Sequence, residues 1–173
     1  MLSERLRNSI KDYPGFPKKG IIFKDISPIL TDSELFSDLI DKIAKYSFFD
    51  NADAIIAIDA RGFIFGSAIA KIIKKPLILA RKKNKLPGLV IEKSYGLEYG
   101  SDNLSIQETA ISPFQKFVLV DDLLATGGTA KCVIDMMKIM KKDILAISVI
   151  IELTSLGGAE KLGIPVYSEV KYC

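Results

Sequence analysis

Residues 117–129, FVLVDDLLATGGT, decide how the rest of the chain is read. Phe117, Val118, Leu119 and Val120 form a short apolar, β-branched run, the pattern of a buried strand. Two carboxylates, Asp121 and Asp122, follow at once, and then the small-residue loop Ala125-Thr126-Gly127-Gly128-Thr129. Val133, Met136, Met137 and Met140 recur at helical spacing, so the loop lies between a strand and a helix. Ligands of open α/β sheets bind at the carboxyl ends of the strands. Loop amides and a helix N-terminus at that place make a phosphate cradle. Small side chains let the backbone approach, and the hydroxyls of Thr126 and Thr129 can add hydrogen bonds. Asp121 and Asp122 would repel a phosphate and suit neutral sugar hydroxyls instead. The combination predicts a phosphorylated sugar as ligand. The bare pattern DDxxxxGG fits an ordinary strand–loop–helix turn equally well, with acidic residues near a helix start for dipole reasons. It is not a Walker A loop, because no Lys directly follows its glycines, and not a GxGxxG fingerprint.

Length and composition bound the remaining choices. A chain of 173 residues predicts a single domain, 1–173, able to bury roughly two-thirds of its unfolded surface. With 49% apolar and 26% charged residues, a globular fold is expected rather than a disordered chain. The net charge of +3 demands neither nucleic acid nor membrane as a partner and suits an anionic small molecule. Two cysteines, Cys132 and Cys173, point to a reducing compartment and no disulfide framework. The complete absence of His excludes Ser-His and Cys-His catalysis and His-ligated metals. No run is apolar enough for a membrane span, and MLSERLRNSIKDY lacks the apolar core of a secretory signal. A cytoplasmic protein is the expectation.

Taken in order, Leu2, Leu6 and Ile10 predict a short amphipathic helix ended by Pro14 and Gly15. Residues 16–30, FPKKGIIFKDISPIL, read as a structured loop, since Ile21, Ile22 and Phe23 are costly to leave exposed. A capping box from Thr31 to Glu34 predicts a helix with Leu35, Leu39, Ile40 and Ile43 on one face. Ala54 to Ile58 predicts a buried strand, followed by Asp59-Ala60-Arg61-Gly62, a helix to about Ile73, and a strand from Pro76 to Ala80. Strand, helix, strand in this order implies parallel pairing. From about 82 to 105 the chain is polar, basic at its start and punctuated by Gly88, Gly96 and Gly100. A stretch so long in a compact domain is usually functional, and it reads as a mobile flap, possibly a β-ribbon, that closes over a site. Ile144 to Leu153 predicts another strand, Leu156-Gly157-Gly158 opens a helical turn, and Pro165 to Val170 reads as an edge strand.

Five segments stand in one order: FPKKGIIFKDISP, DARGFIFG, RKKNKLPG with SYGLEYG, VDDLLATGGT and IELTSL. Together they resemble the adenine phosphoribosyltransferases of the type I phosphoribosyltransferase family, from about residue 16 to about residue 162. The fourth segment alone is similar to that family's phosphoribosyl-pyrophosphate (PRPP) motif. The resemblance implies an α/β fold with a central, mostly parallel sheet flanked by helices and a mobile flap or hood. It implies transfer of the 5-phosphoribosyl group from PRPP to adenine, giving AMP and pyrophosphate, with Mg²⁺ bound mainly through PRPP and no direct protein ligand to the metal. It also implies a homodimer.

Residue by residue, the resemblance assigns Ala125, Thr126, Gly127, Gly128 and Thr129 to the 5′-phosphate, and Asp121 and Asp122 to the ribose hydroxyls. Asp59, Ala60, Arg61 and Gly62 match the pyrophosphate loop, with the Arg61 fork suited to phosphate oxygens. Arg81, Lys82 and Lys85 would add positive charge there; alone they read equally as a solvated basic run. Ile22, Phe23 and Lys24 match the adenine pocket, with Phe23 stacking on the base and Leu156 covering its other face. Apart from the resemblance, Phe23 and Leu156 would be read as core residues. Glu98 matches the carboxylate that exchanges a proton with N7 of adenine, although an isolated flap carboxylate is ordinarily a solvated group. Lys24 stands where some relatives have Arg, and Gly88 and Gly96 occupy flap positions at which relatives vary.

Overall fold

The computed structural model describes residues 1–97 and 100–173, which divide into two compact units, Met1–Ile43 and Ala44–Cys173. In the first unit, helix α1 (Leu2–Ser9) buries Leu6 and is tied to a later helix by Arg5, whose Nη1 lies 2.6 Å from Asp38 Oδ2. Strand β1 (Lys11–Pro14) pairs antiparallel with β2 (Ile22–Asp25), placing Tyr13 opposite Phe23. The segment expected as a structured loop at 16–30 therefore carries a strand and, beyond it, the short helix α2 (Ser27–Thr31). Its strand partner lies across a turn in which Gly15 and Gly20 adopt positive φ and the Phe16–Pro17 peptide is cis. That long-range pairing left no alternation in so short and punctuated a stretch. Helix α3 (Ser33–Ile43) buries Leu35, Leu39, Ile40 and Ile43 at the expected spacing. Its cap is Asp32, whose Oδ1 accepts the Leu35 N–H at 2.9 Å, whereas Thr31, the expected cap, is the last residue of α2. Asp and Thr serve the same cap chemistry, so the sequence pattern misplaced the cap by one residue.

The second unit is built on a seven-stranded sheet. Its strands are β3 (Ala54–Ile58), β4 (Leu77–Lys82), β5 (Val90–Leu97), β6 (Gly100–Gln107), β7 (Lys116–Leu124), β8 (Asp143–Leu153) and β9 (Val166–Tyr172), in the order β5-β6-β4-β3-β7-β8-β9. Pairings from β4 through β3, β7 and β8 to β9 are parallel, while β6 runs antiparallel to both β4 and β5. The α/β class and mostly parallel sheet are those expected. Within the stretch read as a flap, β5 and β6 pair as an antiparallel ribbon, the form the sequence allowed. The ribbon is continuous with the sheet through Arg81 opposite Ser105 and Lys82 opposite Leu104.

Helices cover both faces because strand residues alternate sides. Ala54, Ile56 and Ile58 of β3 join a core with Val133, Met136 and Met137 of the helix Gly128–Ile139. The other face of β3 meets the helix Gly62–Ile73, where a Cβ built on Gly66 would fall 2.6 Å from Ala57 Cβ. In chain order the helices of this unit are α4 (Gly62–Ile73), α5 (Glu108–Ile111), α6 (Gly128–Ile139) and α7 (Gly158–Leu162). β3 is the point where the winding reverses: the chain leaves it through α4 to β4 on one side, and later returns to β7 on the other. At such a switch point the loops after the two central strands diverge and open a crevice. Among the described residues, no helix is long and apolar enough to cross a membrane.

The contact at Gly66 generates a stability prediction. Gly66→Ala would gain roughly 1 kcal/mol of helix propensity on an open helix. Here the added methyl has no room, and a net loss of about 1–3 kcal/mol is expected from overpacking. Urea unfolding of the two proteins checks this, and an equal or higher midpoint for Gly66→Ala would show that α4 yields without cost.

Candidate functional site

The carboxyl ends of β3 and β7 bring three predicted segments together: Asp59–Gly62, Asp121–Asp122 and Ala125–Thr129. After β3 the chain turns through an Asp59–Ala60 peptide that is cis, a feature no residue pattern announces. Arg61 then stands at the entrance of α4. Its Nη2 lies 2.9 Å from Asp122 Oδ2, an atom that accepts no well-aligned hydrogen bond although it is fully buried. The attraction is therefore mainly one of charge. Gly62 makes this approach possible, because a Cβ there would lie 2.9 Å from both Asp121 Oδ1 and the Val120 carbonyl oxygen.

Asp121 and Asp122 are neighbours on β7, and Asp121 Oδ1 accepts the Asp122 N–H at 2.8 Å. The Asp121 carboxyl is held well above the usual carboxylate range, first by burial and then by the negative charge of Asp122, with Arg61 opposing the shift. A buried pair of like charges beside a single guanidinium is the arrangement that raises one member of the pair.

The loop from Ala125 to Thr129 lines a hollow of about 160 Å³, shared with Asp121 and Leu124. At ~30 Å³ per water this is room for about five waters. Gly127 precedes α6 with φ 83°, and no side chain caps that helix. The first N–H groups of a helix lack intrahelical acceptors, so α6 presents free donors and the positive end of its dipole to the hollow. The loop is backed by Gly158, where a Cβ would fall 2.1 Å from the Ala125 carbonyl oxygen and 2.9 Å from the Gly127 nitrogen. The sequence predicts only a helix start at Gly157-Gly158, because a bare Gly-Gly pair carries no sign of which loop it touches.

The basic residues divide. Arg81 Nε lies 3.4 Å from Asp59 Oδ2, which also accepts the Lys82 N–H at 3.3 Å, so the end of β4 is bound to the end of β3. Lys82 Nζ lies 3.0 Å from Asp102 on β6, a pairing that raises its pKa. Lys85 is exposed in the turn between β4 and β5, where its carbonyl accepts from Arg81 at 3.4 Å. Leu156 is 43% exposed in a 3₁₀ turn, Thr154–Leu156. Ile22, Phe23 and Lys24 lie on β2 of the first unit. There Ile22 is exposed, Phe23 meets Phe16 edge-on at 5.3 Å, and Lys24 Nζ grips both carboxylate oxygens of Asp12 at 2.8 and 2.7 Å. Glu98, predicted to act in catalysis, lies outside the described residues. A larger hollow, of about 620 Å³, sits at the opposite, amino ends of β3 and β7. Its Lys75 and Lys142 ammonium groups are engaged by main-chain carbonyls, those of Asp50 and Ala52 for the first and of Ser112 and Phe114 for the second.

Residues 29–161 match the phosphoribosyl transferase domain family. An adenine phosphoribosyltransferase of Prochlorococcus marinus is 48% identical over 168 residues, covering 97% of this chain and 98% of that protein. The chain belongs to the adenine phosphoribosyltransferase family. A family member from Mycoplasmopsis pulmonis is 46% identical over 91% of this chain and 92% of its own length. The crystal structure of the Saccharomyces cerevisiae adenine phosphoribosyltransferase, complexed with D-2,5-dideoxy-2,5-imino-altritol 1,6-bisphosphate and adenine, superposes with a TM-score of 0.89 at 34% identity. It covers 97% of this chain and 98% of that one. The fold is therefore that of the type I phosphoribosyltransferases.

The carboxylate pair predicts an unusual pH dependence. The raised Asp121 pKa means that, as pH rises from ~4, the folded chain gives up this proton later than the unfolded chain does. The folded state thus binds more protons above that pH, and this group's contribution to stability falls as pH rises toward the raised folded value. Asp121→Asn keeps an acceptor for the Asp122 N–H and removes the charge. It is expected to melt above the wild type at about pH 7.5, with the gain shrinking as the pH is lowered toward about 4. Equal melting temperatures at the higher pH would mean that the pair carries no electrostatic cost.

Proposed function

We propose that this chain transfers the 5-phosphoribosyl group of PRPP to adenine, forming AMP and pyrophosphate in purine salvage. The observation that carries the reading is the uncapped start of α6 behind the Ala125–Thr129 hollow, set beside the Arg61–Asp122 pair at the β3/β7 crevice. It is supported by relatives that bear this activity in their names and by the yeast enzyme's complex with a bisphosphate and adenine.

On this reading the amides and hydroxyls of Ala125, Thr126, Gly127, Gly128 and Thr129 hold the 5′-phosphate. Asp121 and Asp122 face the ribose hydroxyls and orient the ring. Asp59, Ala60, Arg61 and Gly62 take the pyrophosphate. A guanidinium has five N–H donors, so Arg61 can keep Asp122 and still donate to a phosphate oxygen. Departure of pyrophosphate leaves an oxocarbenium-like ribose and puts charge on the leaving group, which Arg61 stabilises, with Arg81, Lys82 and Lys85 adding positive potential. Phe23 offers an aromatic face to the base, the backbone around Ile22 and Lys24 its edge contacts, and Leu156 an apolar contact. Glu98 exchanges the proton at N7, and closure of the ribbon excludes water that would hydrolyse PRPP.

Mg²⁺ would be carried in on PRPP without a direct protein ligand, since the Asp122 Oδ2 oxygen is fully buried and already faces Arg61 Nη2 at 2.9 Å. When bound, Mg²⁺ supplies charge neutralisation for the leaving pyrophosphate. A homodimer in the cytoplasm completes the reading.

An assay of PRPP and Mg²⁺ against adenine, hypoxanthine, guanine and xanthine in parallel tests it. Nucleotide is expected from adenine alone. Product from an oxopurine instead would overturn the base-pocket assignments and keep the phosphate side. Glu98→Ala is expected to lose about a hundredfold or more in turnover, the scale of a general acid–base group, with PRPP binding little changed. Undiminished turnover would remove Glu98 from its role.

A further inference from the structure

Arg81 is set apart from the other cations at the end of β4 by what holds it. Lys82 Nζ is paired with Asp102 on β6, and Lys85 is exposed in the following turn. Arg81 instead turns to the segment 59–63. Its Nε lies 3.4 Å from Asp59 Oδ2, and its Cζ stands over the Phe63 ring, 5.9 Å from the centroid. That is within reach of a cation–π contact. The Arg81 main chain is fixed as well, since its carbonyl accepts from the Ser105 hydroxyl at 3.2 Å. Asp59 and Phe63 lie two residues before and two after Arg61, so the two contacts hold the Arg81 guanidinium against the loop that carries Arg61. Phe63 is only partly buried, where a leucine would pack as well, so the aromatic face is the property this position uses.

We propose that Phe63 is a positioning residue that, with Asp59, holds Arg81 beside the pyrophosphate loop, so that the loop binds its anion with two arginines from one chain. The proposal rests on the reading of Asp59–Gly62 as that loop. A ring beneath the flat face of a guanidinium leaves the donors at its edge uncovered, which a compact ammonium group could not reproduce. Among the described residues, Arg81 donates through Nε to Asp59 and through Nη1 to the Lys85 carbonyl at 3.4 Å. A guanidinium has five donors, so those contacts leave others for phosphate oxygens. Asp59 Oδ2 also accepts the Lys82 N–H at 3.3 Å, so the carboxylate fixes the strand end and the side chain together. Lys82 and Lys85 have no such seat and contribute only general positive potential.

The test is calorimetric titration of pyrophosphate with Mg²⁺ into the wild type, Phe63→Leu, Phe63→Tyr, Arg81→Ala and the double variant Phe63→Leu/Arg81→Ala. Loss of the ring face is expected to weaken pyrophosphate binding about two- to fivefold in Phe63→Leu. Phe63→Tyr, which keeps the face, is expected to bind as the wild type does. In the Arg81→Ala background, Phe63→Leu is expected to do nothing further, because the group it holds is gone. Wild-type affinity in Phe63→Leu, a Phe63→Tyr protein as weak as Phe63→Leu, or losses that multiply in the double variant each overturn the proposal. If Phe63→Leu does not fold, the contact is read from its other end. Arg81→Lys keeps the charge and loses the flat face, so it should bind pyrophosphate more weakly than the wild type, and an equal affinity overturns the proposal. A wild type that neither binds pyrophosphate nor forms nucleotide from any base removes the underlying reading, and the proposal with it. A wild type that binds pyrophosphate and is matched by Phe63→Leu removes the proposal alone.

Discussion

Negative charge buried at the carboxyl end of β7 is the constraint around which the second unit is arranged. Asp121 and Asp122 follow four fully buried residues on β7; Asp122 is itself buried, and Asp121 is partly buried at the edge of the hollow. The fold answers with one guanidinium and one main-chain N–H, and the Asp121 carboxyl is held well above the usual carboxylate range by burial and the neighbouring charge. Delivering Arg61 requires the tight turn after β3 and a glycine at the start of α4, since a side chain at Gly62 would collide with the carboxylate it helps to hold. Such an arrangement is expected to cost stability in the free protein while leaving a polar surface at the crevice, the usual exchange between stability and activity.

The loop side of the crevice is built from main chain rather than charge. Gly127 supplies the left-handed turn into α6, and Gly158 lets a separate segment press against the loop from behind. A helix N-terminus built in this way needs no lysine to hold an anion. The ribbon lies close to this turn: a Cβ on Gly128 would fall 3.2 Å from the Gly96 carbonyl oxygen.

Much of this was legible in the residues. The apolar runs of β3, β7 and β8, the loop Ala125–Thr129 and the alternation of strands with helices carry their own periodicity, and the parallel α/β class follows from their order. Less legible were elements whose stability comes from a partner distant in sequence. β2 is four residues among prolines and lysines, and only its pairing with β1 makes it a strand. The ribbon's polar residues gave no strong alternation, yet it pairs along its described length from Val90 with Gln107 to Leu97 with Gly100. The cap of α3 was misplaced by one residue because Thr31 and Asp32 are both good caps, and the choice falls to how α2 ends.

By itself, the sequence determined which chemistry was available: no histidine, a carboxylate pair ahead of a small-residue loop, and an arginine in a second loop of matching type. Those are properties of residue identity and short spacing, which local physics reads directly. Only the tertiary structure decided that Arg61 faces Asp122, that Asp59 binds the end of β4 and that Gly158 backs the loop. Each of these joins segments tens of residues apart, and their meeting is set by strand order at the β3/β7 switch point and by the close approach that glycine permits.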